Sequence, residues 1–151
     1  MREIVPSFTG NDVRVGVAVA RFNSYITGQM LDICVARLEE LGVSRGAVTV
    51  LHVPGSVELP LAAKKLAQRD DIDAVVTLGV VIRGETAHFE HVANIAASGI
   101  SRVAEETGKP VIFGVLTTYT TNQAMARIPH AAGFAEAAVE MANTYRSLAD
   151  L

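Results

Sequence analysis

Four short apolar runs punctuate the chain, each closed by polar residues, glycine or proline: Val13–Ala20 (VRVGVAVA), Ala47–Val53 (AVTVLHV), Ala74–Val81 (AVVTLGVV) and Val111–Leu116 (VIFGVL). Their length and valine content predict strands, all four read as core strands. Between them the spacing changes. From about Ile26 to Leu41 the apolar positions Ile26, Met30, Ile33, Leu38 and Leu41 fall on one helical face, with Gly42 placed to end it. Ser56 is placed to cap a second helix running to about Gln68, with Pro60 tolerated in its first turn. Further helices are predicted from Ala87 to Glu106, over Asn122–Ala126, and from Ala132 to Leu148. Asp70, Asp71 and Asp73 mark a solvated turn, and Thr117–Thr121 a polar loop.

Strands of five to eight residues alternating with longer helices define βαβ units. Parallel strands so connected need helices on both faces of the sheet. The expected fold is a single-domain three-layer αβα sandwich over residues 13–151, with a mainly parallel four-stranded sheet. Residues 1–12, which contain Pro6, Gly10 and Asn11, are expected to form a tail or an edge strand. In such sheets ligands bind at the carboxyl ends of the strands. Here those ends are Arg21–Ser24, Pro54–Glu58, Ile82–His88 and Thr117–Tyr119.

Composition narrows the class. Half of the 151 residues are hydrophobic, yet no apolar run reaches 18 residues, which argues against a membrane span. The N-terminus lacks the apolar core of a secretory signal, and one cysteine, Cys34, rules out an internal disulfide; a cytoplasmic protein is expected. A net charge of −3 with scattered basic residues argues against nucleic acid as the main partner. Only 19% of residues are charged, which suggests that some surface is buried against other copies of the chain.

The chemistry concentrates in Thr77–Val92, TLGVVIRGETAHFEHV: a strand, a bend at Arg83-Gly84-Glu85-Thr86, then a helix carrying His88 and His91. A strand end followed by helix N-terminal amides binds anions, and a histidine in the first turn can move protons near neutral pH. The Glu85 carboxylate would have to point away from such an anion. His88 and His91 are three apart and could share a metal only with Glu85 or Glu90 as extra ligands. Phe22 could stack on a planar heterocycle or serve as an ordinary hydrophobic anchor. Glu58 could accept hydrogen bonds from a ligand or complement its own helix dipole. Arg127 could clamp an anion or be a surface charge. No nucleophile–base pair and no dinucleotide-binding glycine pattern is present.

RFNSYIT, VPGSVELP, LGVVIRGETAHFEHV and PVIFGVLTT, in this order and spacing, resemble the lumazine synthase family from about Val13 to Met141. The resemblance implies a flavodoxin-like fold and the penultimate step of riboflavin biosynthesis. That step condenses 5-amino-6-(D-ribitylamino)uracil with 3,4-dihydroxy-2-butanone 4-phosphate to 6,7-dimethyl-8-ribityllumazine, without cofactor or metal. By the same resemblance, Phe22 would stack on the pyrimidinedione, and Ser56, Val57, Glu58, Val80, Val81 and Ile82 would hold the ribityl chain and ring edge. Phe113 would complete that pocket from a neighbouring subunit. Glu85 and Thr86 would offer phosphate-binding amides, Arg127 would reach the phosphate from a partner chain, His88 would transfer protons, and His91 would become a packing residue. The family assembles as homopentamers, some of which build sixty-chain icosahedral shells, and riboflavin synthase is an implied partner.

The chain departs from the family pattern after Arg127, where IPHAAGFAE replaces a segment close to AGTKAGNKG. Ala131 and Ala135 then stand for two lysines and Ala126 for an acid, while Val57 occupies a position often held by a larger residue. His130 would compensate only when protonated. The missing lysines suggest one alternative, a catalytically weakened paralogue that binds ligand or forms a shell; a second is an unrelated flavodoxin-like binding or regulatory module.

Overall fold

The computed structural model describes residues 1–151. Its strands are β1 (Val15–Ala20), β2 (Val48–Val53), β3 (Ala74–Ile82) and β4 (Val111–Thr118). Its helices are α1 (Ser24–Leu41), α2 (Leu59–Ala67), α3 (His88–Thr107), α4 (Thr121–Arg127) and α5 (Ala131–Ala149). Every strand pair is parallel and the spatial order is β2-β1-β3-β4. One core lies between the sheet and α1/α5, built on Met30, Leu38, Val17, Val76, Leu78 and Val139. The other lies between the sheet and α2/α3, built on Leu59, Leu66, Ile72, Val75 and Ile100. This is the expected αβα sandwich.

Burial explains which strands sit where. All six residues of β1 and all but the last of β3 are buried, as strands covered on both faces must be. The valine-rich β2 departs from expectation: it is an edge strand, with Thr49, Val50 and His52 exposed. β-branched residues suit central and edge strands alike, so composition could not tell them apart. β4 is the opposite edge, and it continues through Thr118 into the expected loop, with Phe113 left 42% exposed.

The helices keep their predicted places with local differences. α1 begins two residues early, and its buried stripe is Ile26, Thr27, Met30, Cys34 and Leu38, with Ile33 and Leu41 at its margins. Burial pushes the Cys34 thiol up to about 12, which leaves it an inert packing group. Gly42, at φ 107°, ends α1 in left-handed backbone. Ser56 makes no cap hydrogen bond: a 3₁₀ turn, Ser56–Glu58, precedes α2, and Glu58 Oε2 accepts the Gly55 N–H at 3.1 Å. His91 is exposed on α3 rather than packed, because that face of the helix turns away from the sheet.

Residues 1–10 have no regular secondary structure. Asn143 Nδ2 ties this segment to α5 by donating to the carbonyls of Ser7 (3.0 Å) and Thr9 (2.9 Å). No helix is long and apolar enough to cross a membrane.

Asp73 is not a solvated turn residue. It accepts the Arg14 backbone N–H (2.8 Å), the Arg14 Nε (3.1 Å) and Nη2 (3.0 Å), and lies 3.6 Å from Arg146 Nη2. It thereby joins the start of β1, the turn before β3 and the end of α5. Burial alone would raise its pKa, but the Arg14 hydrogen bonds and the two guanidinium charges outweigh it and hold the carboxyl below its ordinary value. A depressed native pKa gives stability that is present above the unfolded pKa and lost as pH falls through the native one. Asp73→Asn is therefore expected to lower unfolding free energy by about 1–3 kcal/mol at pH 7. In urea titrations the gap to the parent should shrink as pH falls toward 3; an equal gap at pH 7 and pH 3 would contradict this account.

Candidate active site

The sheet order reverses at β1: the chain leaves it for β2 on one side and returns to β3 on the other. The carboxyl ends of these strands separate there and open a crevice. Its rim is held by ladder-like bonds that run past the strands. Arg21 N–H donates to the Val53 carbonyl (2.7 Å) and Phe22 N–H to that of Pro54 (2.9 Å), while Arg83 N–H donates to that of Thr118 (3.0 Å). Asn23 then turns the chain through left-handed backbone at φ 59°, a conformation asparagine tolerates better than most residues. Phe22 is left 69% exposed above the crevice.

The resulting cleft has a volume of about 340 Å³. Phe22 stands over it; Ser56, Val57 and Glu58 form one wall, Val80, Val81 and Ile82 the floor, and Thr86 and His88 the far side. Gly79 of β3 lies under the Ser56–Glu58 wall. A β-carbon there would lie 2.7 Å from Ser56 Oγ and 3.0 Å from Leu59 Cδ1, so only glycine lets the 3₁₀ turn close onto β3. Glu58 commits Oε2 to the Gly55 N–H and keeps its other oxygen available.

At the far side the chain leaves β3 into the open bend Arg83–Ala87, every residue of which is exposed. The backbone N–H groups of Gly84, Glu85, Thr86 and Ala87 have no acceptor within the chain, whereas that of His88 donates to Thr86 Oγ1 at 3.3 Å. His88 is the first residue of α3. Unpaired amides at the start of a twenty-residue helix attract an anion through the helix dipole as well as by hydrogen bonding. The carboxylates of Glu85 and Glu90 oppose that attraction. An apolar floor, an aromatic lid, one carboxylate, one imidazole and an amide-lined rim suit a planar polar heterocycle beside an anionic group.

Three expected residues lie outside the cleft. Glu85 belongs to the bend but does not line the cavity. Phe113 sits opposite Thr77 near the beginning of β4, beside Ala97, Ser101 and Ala104 of α3. Arg127 closes α4 and donates Nη1 to the Gln123 carbonyl at 2.9 Å. Gly55 and Gly84, from the two loops expected to bind ligand, line the cleft, and so do Phe89 and Val92 of α3, a role that sequence reasoning misses. The three-residue spacing of Phe89 and Val92 is the available signal, since it puts both on one face of α3. No group of three or more His, Cys, Asp or Glu side chains is arranged to hold a metal ion.

Residues 12–146 match the family described as 6,7-dimethyl-8-ribityllumazine synthase. The chain belongs to the lumazine synthase family. A protein of that name from Nitrosospira multiformis is 43% identical over 150 residues, 99% of this chain and 94% of the relative. Those of two strains of Thermus thermophilus are 49% identical over 132 residues, 87% of this chain and 84% of theirs.

Against the lumazine synthase pattern, the two alanines at the supposed lysine positions have a plain structural meaning. Ala131 and Ala135 are fully buried in the core shared with α1 and β3. A lysine at either position would push an ammonium into that core.

Two glycines of the site are expected to behave oppositely on substitution. Gly79→Ala should cost about 1–3 kcal/mol through the enforced clash with Ser56 and Leu59. A β-carbon on Gly84 would meet no heavy atom within 4 Å, and its φ is not positive. Gly84→Ala should therefore alter stability by less than about 1 kcal/mol. Urea unfolding of both variants checks this, and equal losses would show that the bend is more tightly packed than the geometry indicates.

Proposed function

We propose that this cleft is where the chain, as a member of the lumazine synthase family, condenses 5-amino-6-(D-ribitylamino)uracil with 3,4-dihydroxy-2-butanone 4-phosphate. The products are 6,7-dimethyl-8-ribityllumazine, phosphate and water. The observation that carries the assignment is the junction of β3 and α3, where four unpaired amides and His88 border an aromatic-capped apolar cleft. In this reading Phe22 stacks on the pyrimidinedione. Ser56, Val57, Glu58 and Val80–Ile82 hold its edge and ribityl chain, and the Glu85–Thr86 amides take the phosphate.

The chemistry asks for this equipment. The amine of the uracil attacks the ketone and water leaves to give an imine. Phosphate is then eliminated, the product tautomerises, and the second nitrogen closes the ring with loss of water. Each step moves a proton, and none needs a protein nucleophile. Holding both substrates side by side supplies at most roughly 7–11 kcal/mol of barrier reduction. An imidazole at the cleft edge adds on the order of 100- to 10,000-fold as proton donor and acceptor. The amides stabilise the departing phosphate.

The reading extends to assembly. Phe113 and Arg127 serve the cleft only if they come from another subunit, because each lies outside its own chain's cleft. A homopentamer in the cytoplasm is the proposed form, with a sixty-chain shell and contact with riboflavin synthase as further options of the family. The 42% exposure of Phe113 on an edge strand supports a surface covered by another copy.

Mixing the two substrates and following lumazine absorbance tests the reaction; no product at high enzyme concentration would refute it. His88→Ala should slow turnover by roughly 100-fold or more while leaving assembly intact. Unchanged turnover would remove His88 from its role. Arg127→Ala should raise KM for the phosphate substrate with little effect on the uracil, and an equal rise for both would contradict the assigned subsite.

A further inference from the structure

The amide-lined bend poses an electrostatic problem that the residues assigned so far leave unsolved within one chain. A phosphate placed there faces Glu85 on the bend and Glu90 in the first turn of α3. Ala131 and Ala135 are sealed in the core and Arg127 lies outside the cleft. The cation adjoining the bend in sequence is Arg83, the residue immediately before Gly84, and it forms no salt bridge. Glu85, two residues away, does not pair with it.

The Arg83 side chain is nevertheless placed. Its guanidinium carbon lies 5.6 Å from the centroid of the Tyr119 ring, within cation–π range. The Tyr119 ring in turn lies 6.4 Å from that of Phe89, tilted by 36°, and Phe89 lines the cleft. The base of Tyr119 is fixed as well: Gln123 Oε1 accepts the N–H groups of Tyr119 (2.9 Å) and Thr120 (3.2 Å), and Thr120 caps α4. The Arg83 backbone is anchored to β4 through Thr118. What remains variable is the guanidinium, resting on an exposed ring, one side chain removed from the cleft, with its charge uncompensated.

We propose that Tyr119 is a positioning residue for the anionic substrate: its ring holds the Arg83 guanidinium beside the Gly84–Thr86 bend as the same chain's cation that offsets Glu85 and Glu90 when phosphate binds, alongside Arg127 from another subunit. The ring attracts the cation without neutralising it, as a carboxylate at the same place would. Phe89 carries the arrangement to the cleft wall. This deepens the functional reading above and rests on its placement of the phosphate.

The test uses the full chain with two readouts. One is the rise in unfolding midpoint with added inorganic phosphate, which reports binding without turnover; the other is KM for each substrate by lumazine absorbance. Tyr119→Leu, which removes the ring, should weaken phosphate binding and raise KM for the butanone phosphate by roughly two- to five-fold, the range of an exposed cation–π contact. KM for the ribitylaminouracil should stay unchanged. Tyr119→Phe, which keeps the ring, should restore the parent constants, and Arg83→Gln should lose at least as much phosphate affinity as Tyr119→Leu. Parent-like phosphate constants in Tyr119→Leu would overturn the proposal, as would equal KM increases for both substrates. A parent protein that makes no lumazine would instead defeat the functional reading, with the phosphate titration still deciding the role of Tyr119.

Discussion

The arrangement depends on one constraint: β1 and β3 are buried on both faces. Neighbouring parallel strands in that position cannot be joined by a tight turn, so the chain must cross over through helices, and the helices must cover both sides of the sheet. Placing β2 on one side of β1 and β3 on the other sends successive crossovers to opposite faces. The loops above β1 and β3 therefore diverge, and the space between them is the cleft. The core and the site are consequences of the same packing requirement, which is why buried residues such as Val80 belong to both.

Within the cleft, polar groups are divided between building and binding. Glu58 uses one oxygen to fix the Gly55 bend, and Thr86 uses its hydroxyl to satisfy the first amide of α3. The amides of Gly84–Ala87 are left unsatisfied where water or a ligand can reach them. Such a rim costs little in the free protein because it is solvated, and it is already oriented when an anion arrives. The same bend carries carboxylates, so any attraction it has for an anion is a balance of amides and dipole against like charge rather than a simple basic patch.

Much of the fold is legible in the sequence because a doubly buried strand writes itself as an unbroken apolar run. AVVTLGVV could be little else. AVTVLHV looks the same and is an edge, since residue type records fitness for a pleated surface but not which face is covered. The site is legible where chemistry sits in short contiguous segments, as in GETAH. It is less so where distant segments meet: Phe89 approaches Tyr119, thirty residues later, only because β3 and β4 are paired in register. Ser56 reads as a helix cap by local preference, but close packing against Gly79 buries it, and the capping task passes to Glu58.

The bonds that carry strand pairing past the ends of β1 and β3 have a mechanical consequence. Phe22 on one rim and Arg83 on the other are joined to β2 and β4 by main-chain hydrogen bonds to Pro54 and Thr118. At these two residues the rim is a continuation of the sheet, whereas Gly84–Ala87, between Arg83 and α3, donate no main-chain bond. Opening the mouth by a backbone swing would require peeling ladder bonds from the sheet, as one unzips a seam from its end. Rotation of the Phe22 ring or the Arg83 side chain breaks none of them. Where the rim is tied in this way, at Phe22 and Arg83, side-chain rotation on the fast timescale of exposed rotamers is the motion that widens the mouth without breaking a main-chain bond.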